Sequence, residues 1–149
     1  MKKKPAKSAA ITKKIKNWKD KMVSKRPHEV KVIDKDFADI PANSKMLIAT
    51  PKIIDDYVRQ IPKGSSTTLQ TMRKDLAITY QAEYTCPVTT GIFLRIVAEA
   101  AHEEFKSGIP TEKIAPFWRV VDDKSKLAKK VTFGASFIKQ QRKKEGLDE

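Results

Sequence analysis

The chain is poor in cysteine: 149 residues contain one, Cys86. A lone thiol excludes an internal disulfide and points to a reducing compartment. Glycine-rich phosphate loops are missing too: there is no GxGxxG, no P-loop and no Cys/His spacing suited to a metal. Cofactor-dependent chemistry and metal catalysis therefore have no support, and no cofactor is expected. No apolar run approaches the roughly 20 residues that cross a bilayer. The basic start, Met1-Lys2-Lys3-Lys4-Pro5, is not followed by an apolar stretch, so it does not read as a secretory signal. The expected location is cytoplasmic, with nucleoid association compatible, and no membrane partner is expected. Acid is also scarce, with 18 Asp and Glu against 31 Lys and Arg, for a net charge of +13. A cation excess of that size favours an anionic partner, of which nucleic acid is the usual one.

The excess is uneven. Residues 1–26 hold ten lysines and one arginine against a single acid, Asp20, which places +10 of the +13 there. Charge alone thus argues for a basic extension that binds phosphates without reading sequence, or for a tail that solubilises the chain or touches ribosomal RNA. It does not make the rest of the chain a DNA reader. Ile11, Ile15 and Trp18 recur at helical spacing, so a short amphipathic helix is expected before Pro27. Val30, Val32 and Ile33 suit a short strand, and Met46-Leu47-Ile48 is a brief apolar run.

From Pro51 the pattern sharpens. Proline suits the first turn of a helix, and Ile53, Ile54, Tyr57 and Val58 follow before Ile61-Pro62-Lys63-Gly64 stops it. A second helix is expected to start near Thr67 or Thr68, where Thr67-x-x-Gln70 fits a capping box, with Leu69, Met72, Leu76 and Tyr80 on one face. A third helix is expected to open at Thr89 or Thr90 and to carry Ile92, Phe93, Ile96, Val97, Ala100, Ala101 and Phe105, with Gly108 as its stop. Two helices joined by a short turn suit a helix-turn-helix. Phe117 to Val121 has strand propensity, and Asp122-Asp123-Lys124-Ser125 reads as a turn, so a wing-like hairpin is expected there. A last helix is expected from about Gly134 to Glu145, ending at Gly146.

The order of four motifs resembles one family. Ile61-Pro62-Lys63-Gly64 with Thr67-Thr68, Cys86-Pro87-Val88-Thr89-Thr90-Gly91, Ile114-Ala115-Pro116-Phe117-Trp118-Arg119-Val120-Val121, and the closing Gly134 to Glu145-Gly146 are similar, in sequence order, to the DNA-binding domain of alkylguanine-DNA alkyltransferases. The resemblance spans roughly residues 46–147. It implies a mainly α winged helix-turn-helix with a small β wing, of the alkyltransferase C-terminal domain type. A domain over 46–149 would then follow a basic N-terminal extension over 1–45.

The departures from the family decide the expected chemistry. Phe117 stands where the family carries its alkyl-accepting cysteine, and a phenyl ring has no lone pair with which to attack an alkyl group. Trp118 stands where the family carries the histidine that activates that cysteine, and indole is no base near neutral pH. Leu69 replaces the family's nucleotide-rotating tyrosine. Val88 replaces the arginine that fills the gap in the duplex, and a branched apolar side chain can wedge there without the guanidinium's hydrogen bonds. The chain resembles the alkyltransferase-like branch, which binds alkylated guanine without repairing it, so no catalytic residue is expected.

The resemblance implies a lesion pocket of Pro116, Phe117, Trp118 and Arg119, whose aromatic rings would stack a damaged base or else pack the core. It implies DNA contacts from Thr68, Val88, Thr89, Thr90, Gly91, Arg95, Lys126 and Lys129. The expected partner is double-stranded DNA bound mostly without sequence preference, because Arg95 is the one arginine on a helix whose later turns hold Glu99, Glu103 and Glu104. A downstream repair protein is a second implied partner. Two alternatives stand beside this reading. One is a methyltransferase using Cys86, which sits near a helix N-terminus where a thiol can be activated; a buried small side chain is the plainer account of it. The other is an interaction module that no longer binds DNA.

Overall fold

The computed structural model describes residues 17–147. Its longest element is a twenty-residue helix, α4 (Pro87–Lys106), and the other elements are placed by what they pack against it. Before it come α1 (Trp18–Lys21), β1 (Glu29–Val32), β2 (Lys45–Ile48), α2 (Pro51–Arg59), α3 (Leu69–Thr79) and β3 (Tyr84–Thr85). After it come two 3-10 turns, Thr111–Lys113 and Phe117–Arg119, then α5 (Lys126–Lys130) and α6 (Ala135–Lys144). The chain is thus mainly helical with one small three-stranded sheet.

Local chemistry explains the helix starts. Thr50 accepts a hydrogen bond from the Ile53 amide at 3.2 Å, with Pro51 at the first helical position of α2. At α3 the cap is Thr68, the second of the two expected starts, accepting from the Thr71 amide at 3.0 Å, and not Thr67 in a capping box with Gln70. Thr67 is instead drawn away, its amide donating to the Arg119 carbonyl at 2.8 Å. α4 opens two residues earlier than expected, at Pro87, and its cap is the Cys86 sulfur, 3.5 Å from the Thr89 amide. The stop at Gly108 holds: its φ of +106° is open to glycine at little cost. α6 ends at Lys144, followed by Gly146, as expected.

The sheet runs β1-β2-β3, with β1 antiparallel to β2 and β2 parallel to β3. Met46 and Leu47 of β2 pair with Tyr84 and Thr85, which ties the turn between α3 and α4 to the segment before α2. β1 and β2 correspond to the two short apolar stretches seen in the sequence. The boundary expected at residue 46 therefore falls within the sheet, because β1 pairs in register from Glu29 opposite Ile48 to Val32 opposite Lys45.

The expected hairpin over Phe117–Ser125 does not form. Phe117–Arg119 is a 3-10 turn, closed by amide-to-carbonyl bonds from Arg119 to Pro116 and from Val120 and Val121 to Phe117. The reason is burial: Pro116, Phe117, Trp118, Val120 and Val121 are all enclosed, so the apolar run is a coiled plug and not an alternating strand. Ser125 then caps α5, accepting from the Ala128 amide at 3.2 Å, where a second wing strand was expected.

One core gathers Leu47, Ile54, Val58, Met72, Leu94, Val97, Phe117, Trp118 and Ile138. A smaller cluster of Ile33, Ile40, Met46 and Cys86 lies under the β1–β2 loop. Ile11 and Ile15, expected to share a helix with Trp18, lie outside the described residues. No described helix is long and apolar enough to cross a membrane.

Candidate nucleic-acid interface

Two of the regions singled out by sequence end in opposite states. Phe117 and Trp118 are 0% and 2% exposed. Phe117 meets Trp118 edge-on at 5.3 Å between ring centroids and lies within 6.0 Å of Phe133 and Phe137. The faces that could stack a base are occupied by other rings, so the core-packing account of these two residues prevails. Pro116 is buried beside them.

Arg119 serves as a clasp. Its Nε and Nη2 donate to Glu145 at 2.9 and 2.8 Å, and its Nη1 donates to the Ile61 carbonyl at 2.7 Å. Trp118 Nε1 donates to the same carboxylate at 2.9 Å, and the Gly64 amide does so at 3.2 Å. Burial pushes the Glu145 carboxyl up, but the hydrogen bonds from Arg119, Trp118 and Gly64 outweigh it and hold the group below its ordinary value. Glu145 thus ties the end of α6 to the turn after α2. No carboxylate partner for Trp118 and Arg119 was foreseen from the sequence; the glutamate-glycine ending of the fourth motif was the available signal.

The start of α4 is open. Val88 and Ile92, one turn apart on the helix, are each 52% exposed. They line a groove of about 630 Å³ with Trp18, Lys21, Leu69, Pro87, Gly91, Leu94, Arg95, Ile96, Lys126, Leu127 and Lys130. Four cations and no acid line it. Of the residues expected to touch DNA, it gathers Val88, Gly91, Arg95 and Lys126. Lys129 is exposed on α5 outside that lining.

Two threonines are otherwise engaged and a third is enclosed. Thr68 caps α3. Thr90 is fully buried, and its hydroxyl donates to the Cys86 carbonyl at 2.6 Å. Thr89 is half-buried, with its hydroxyl enclosed and without a partner. The polar contacts expected from the helix start are therefore not presented by these hydroxyls.

Gly91 has no such internal duty. It sits inside α4, and a Cβ added there would meet nothing within 4 Å. Glycine inside a helix costs about 1 kcal/mol relative to alanine, and none of the described residues requires it here.

The later turns of α4 hold their acids inward. Glu99 is 2% exposed and accepts from the Thr132 amide and hydroxyl at 2.7 and 2.6 Å. Glu103 accepts from the Trp18 and Lys19 amides at 2.8 and 3.1 Å, capping α1 from outside, and Glu104 pairs with Lys19 at 3.3 Å. α1 is thereby held on α4 at the groove's edge. There Lys21 Nζ lies 4.0 Å from the centre of the Trp18 ring, and the Arg95 guanidinium 5.3 Å from it. Arg95 Nε also approaches Glu99 at 3.5 Å, an ion-pair contact without hydrogen-bond alignment. Trp18, Lys21 and Ile92 were not expected to line a common site. Their spacing in sequence could not show it, since α1 meets α4 through the distant residues Arg95, Glu103 and Glu104.

Cys86 is 3% exposed, packed with Ile33, Ile40 and Met46, and its sulfur is committed to the cap of α4. An incoming alkyl group has no open path to it in this arrangement. Among the described residues no cluster of His, Cys, Asp or Glu could hold a metal. Comparison with protein-family models, with curated proteins and with solved structures finds no match to the chain.

Proposed function

We propose that the chain is a non-catalytic protein that binds double-stranded DNA through the opening turns of α4, in the manner its resemblance to the alkyltransferase-like branch implies. The observation that carries this reading is the groove at those turns. It combines an exposed apolar helix face, a glycine that the fold does not need, and a rim of Lys21, Arg95, Lys126 and Lys130 without any acid. Apolar contact flanked by cations suits a duplex groove edged by phosphates. Few groups that discriminate base edges are present, so binding is expected to be largely independent of sequence. A winged helix is the fold type that goes with this proposal, and a downstream repair protein is the partner it implies.

Alkylated guanine is the lesion suggested by the resemblance, and it is the finer part of the proposal. Because Phe117 and Trp118 are enclosed, a rotated base would have to be received by the α4 groove and not by those rings.

The test is fluorescence anisotropy of the full chain on duplex DNA, plain or with one O-methylguanine. Val88→Glu with Ile92→Glu places two anions on the proposed face and is expected to weaken binding by about tenfold or more. Unchanged affinity of that double variant would remove α4 from the interface. Preference for the modified duplex would sharpen the reading to lesion recognition. Alkyl label retained on the protein, and lost in Cys86→Ser, would replace it with a transferase. Loss of all binding on removal of residues 1–16 alone would leave the folded part as an interaction module.

A further inference from the structure

The net charge of +3 outside residues 1–26 conceals a second concentration of cations. Residues 27–123 hold fourteen acids against twelve Lys and Arg, whereas residues 124–144 hold seven lysines, one arginine and no acid. All seven lysines (124, 126, 129, 130, 139, 143 and 144) are exposed. None of their ammonium groups takes part in an ion pair among the described residues.

Their placement follows from α5 and α6. Lys126 and Lys130, one turn apart on α5, face the α4 groove. Lys124, just before α5, faces a separate cleft of about 670 Å³, which it lines with Lys139, Arg142 and Lys143 of α6 and with Asp122, Asp123 and Leu147. Of the two carboxylates there, Asp122 is engaged by the Lys124 amide at 2.8 Å. The short segment 124–130 therefore presents lysines to both depressions, Lys124 to the cleft with α6 and Lys126 and Lys130 of α5 to the α4 groove. The negative end of the α6 dipole accounts for Lys143 and Lys144 at that helix's last turn. It does not account for Lys124, Lys126, Lys129, Lys130 or Lys139.

We infer that this surface is a second, sequence-blind phosphate track, which continues the α4 groove across α5 to α6 and lengthens the contact with one duplex. The inference rests on the DNA reading of the α4 groove. A polyanion in solution is favoured over a lipid surface by what the track lacks. No large exposed hydrophobic residue lies between 106 and 147, and the apolar side chains of α6, Phe137 and Ile138, are turned into the core. Helices that lie on membranes insert an apolar face, which is not offered here.

The test uses the full chain and the triple variant Lys124→Gln, Lys139→Gln, Lys143→Gln, which leaves the α4 groove untouched. Affinity for a plain duplex is followed from low to physiological salt. Each phosphate contact removed lowers the slope of log K against log salt by about one, so the variant is expected to bind more weakly at low salt and with a slope smaller by about three. An unchanged slope and affinity would overturn the track while leaving the α4 reading intact. If Gly91→Ala weakens binding with the wild-type slope, the two surfaces are separate contributors, as inferred. If neither variant affects DNA binding, both readings fall together. Vesicles of phosphatidylserine and phosphatidylcholine form the control: an effect of the triple variant on vesicle binding alone would assign the surface to membranes and overturn the inference. Melting temperatures of both variants check that the fold is kept.

Discussion

The turn at 116–119 and the opening of α4 differ in one respect that matters: who satisfies their side chains. In the turn every demanding group is answered from within. Phe117 is surrounded by rings, and Trp118 and Arg119 both end on Glu145. At the start of α4 the apolar face of Val88 and Ile92 is left half exposed by the described residues. A region closed on itself is built for stability, and a region left unanswered is built for contact. The same division runs along α4 itself, whose later glutamates fasten α1 and Thr132 while its first turns remain open.

This contrast predicts variants that affect stability and binding separately. Glu145→Ala should have the largest effect. It strands the Arg119 guanidinium, whose side chain is 13% exposed, and the Trp118 N–H, at a cost of about 3–5 kcal/mol. Denaturant melts would measure this, while the folded fraction should bind DNA as before; equal losses in both properties would dissolve the distinction. The carboxyl's lowered value adds a sign. Its contribution is present above the unfolded value near 4.5 and is lost as pH falls through the folded one, so the variant should lose less stability on acidification than the parent.

Glu99→Ala comes next. It lies on α4 but on the closed side of the division, and leaves both Thr132 donors without their acceptor, for about 2–3 kcal/mol measured by the same melts. Affinity for DNA at a temperature where the variant is folded should not fall, because Glu99 meets the groove only through its 3.5 Å approach to Arg95, whose charge it partly offsets. Gly91→Ala should move the two properties in opposite directions, raising stability by up to about 1 kcal/mol while weakening DNA binding, because the added methyl points into open groove. Gain in both properties would show that the glycine has no part in contact.

The smallest effect concerns His102. Burial, and then Lys106, hold its value below 6.5, while its ring stacks on Phe133 at 4.1 Å. As pH falls below 6.5 the unfolded chain takes up the proton first, so stability declines toward the folded value. His102→Phe should flatten that part of the Tm–pH curve, and Val88→Glu should leave it as it is.

Helices were the most legible feature of the sequence, because threonine caps, Pro51 and Gly108 act within a few residues of themselves. The wing was misread for a physical reason. Phe117 to Val121 is apolar throughout, and such a run looks alike whether it is a buried strand or a plug folded into 3-10 turns. The cap at α4 was misplaced by two residues because cysteine rarely fills that role. The groove was half legible: Val88, Gly91, Arg95 and Lys126 were named, whereas Trp18 and Lys21 belong to it because α1 is held on α4 by Glu103 and Arg95, residues far along the chain. The second basic surface was legible in part, through Lys126 and Lys129, while its extension to α6 was hidden by netting the charge over the rest of the chain.

The sulfur that caps α4 has a practical consequence. As the sole thiol, enclosed where the sheet meets the longest helix, it becomes reachable by a maleimide only when that junction comes apart. The rate of labelling is therefore a clock for local opening, readable on the unaltered chain. A bound duplex would slow that clock to the extent that holding the first turn of α4 keeps the junction shut.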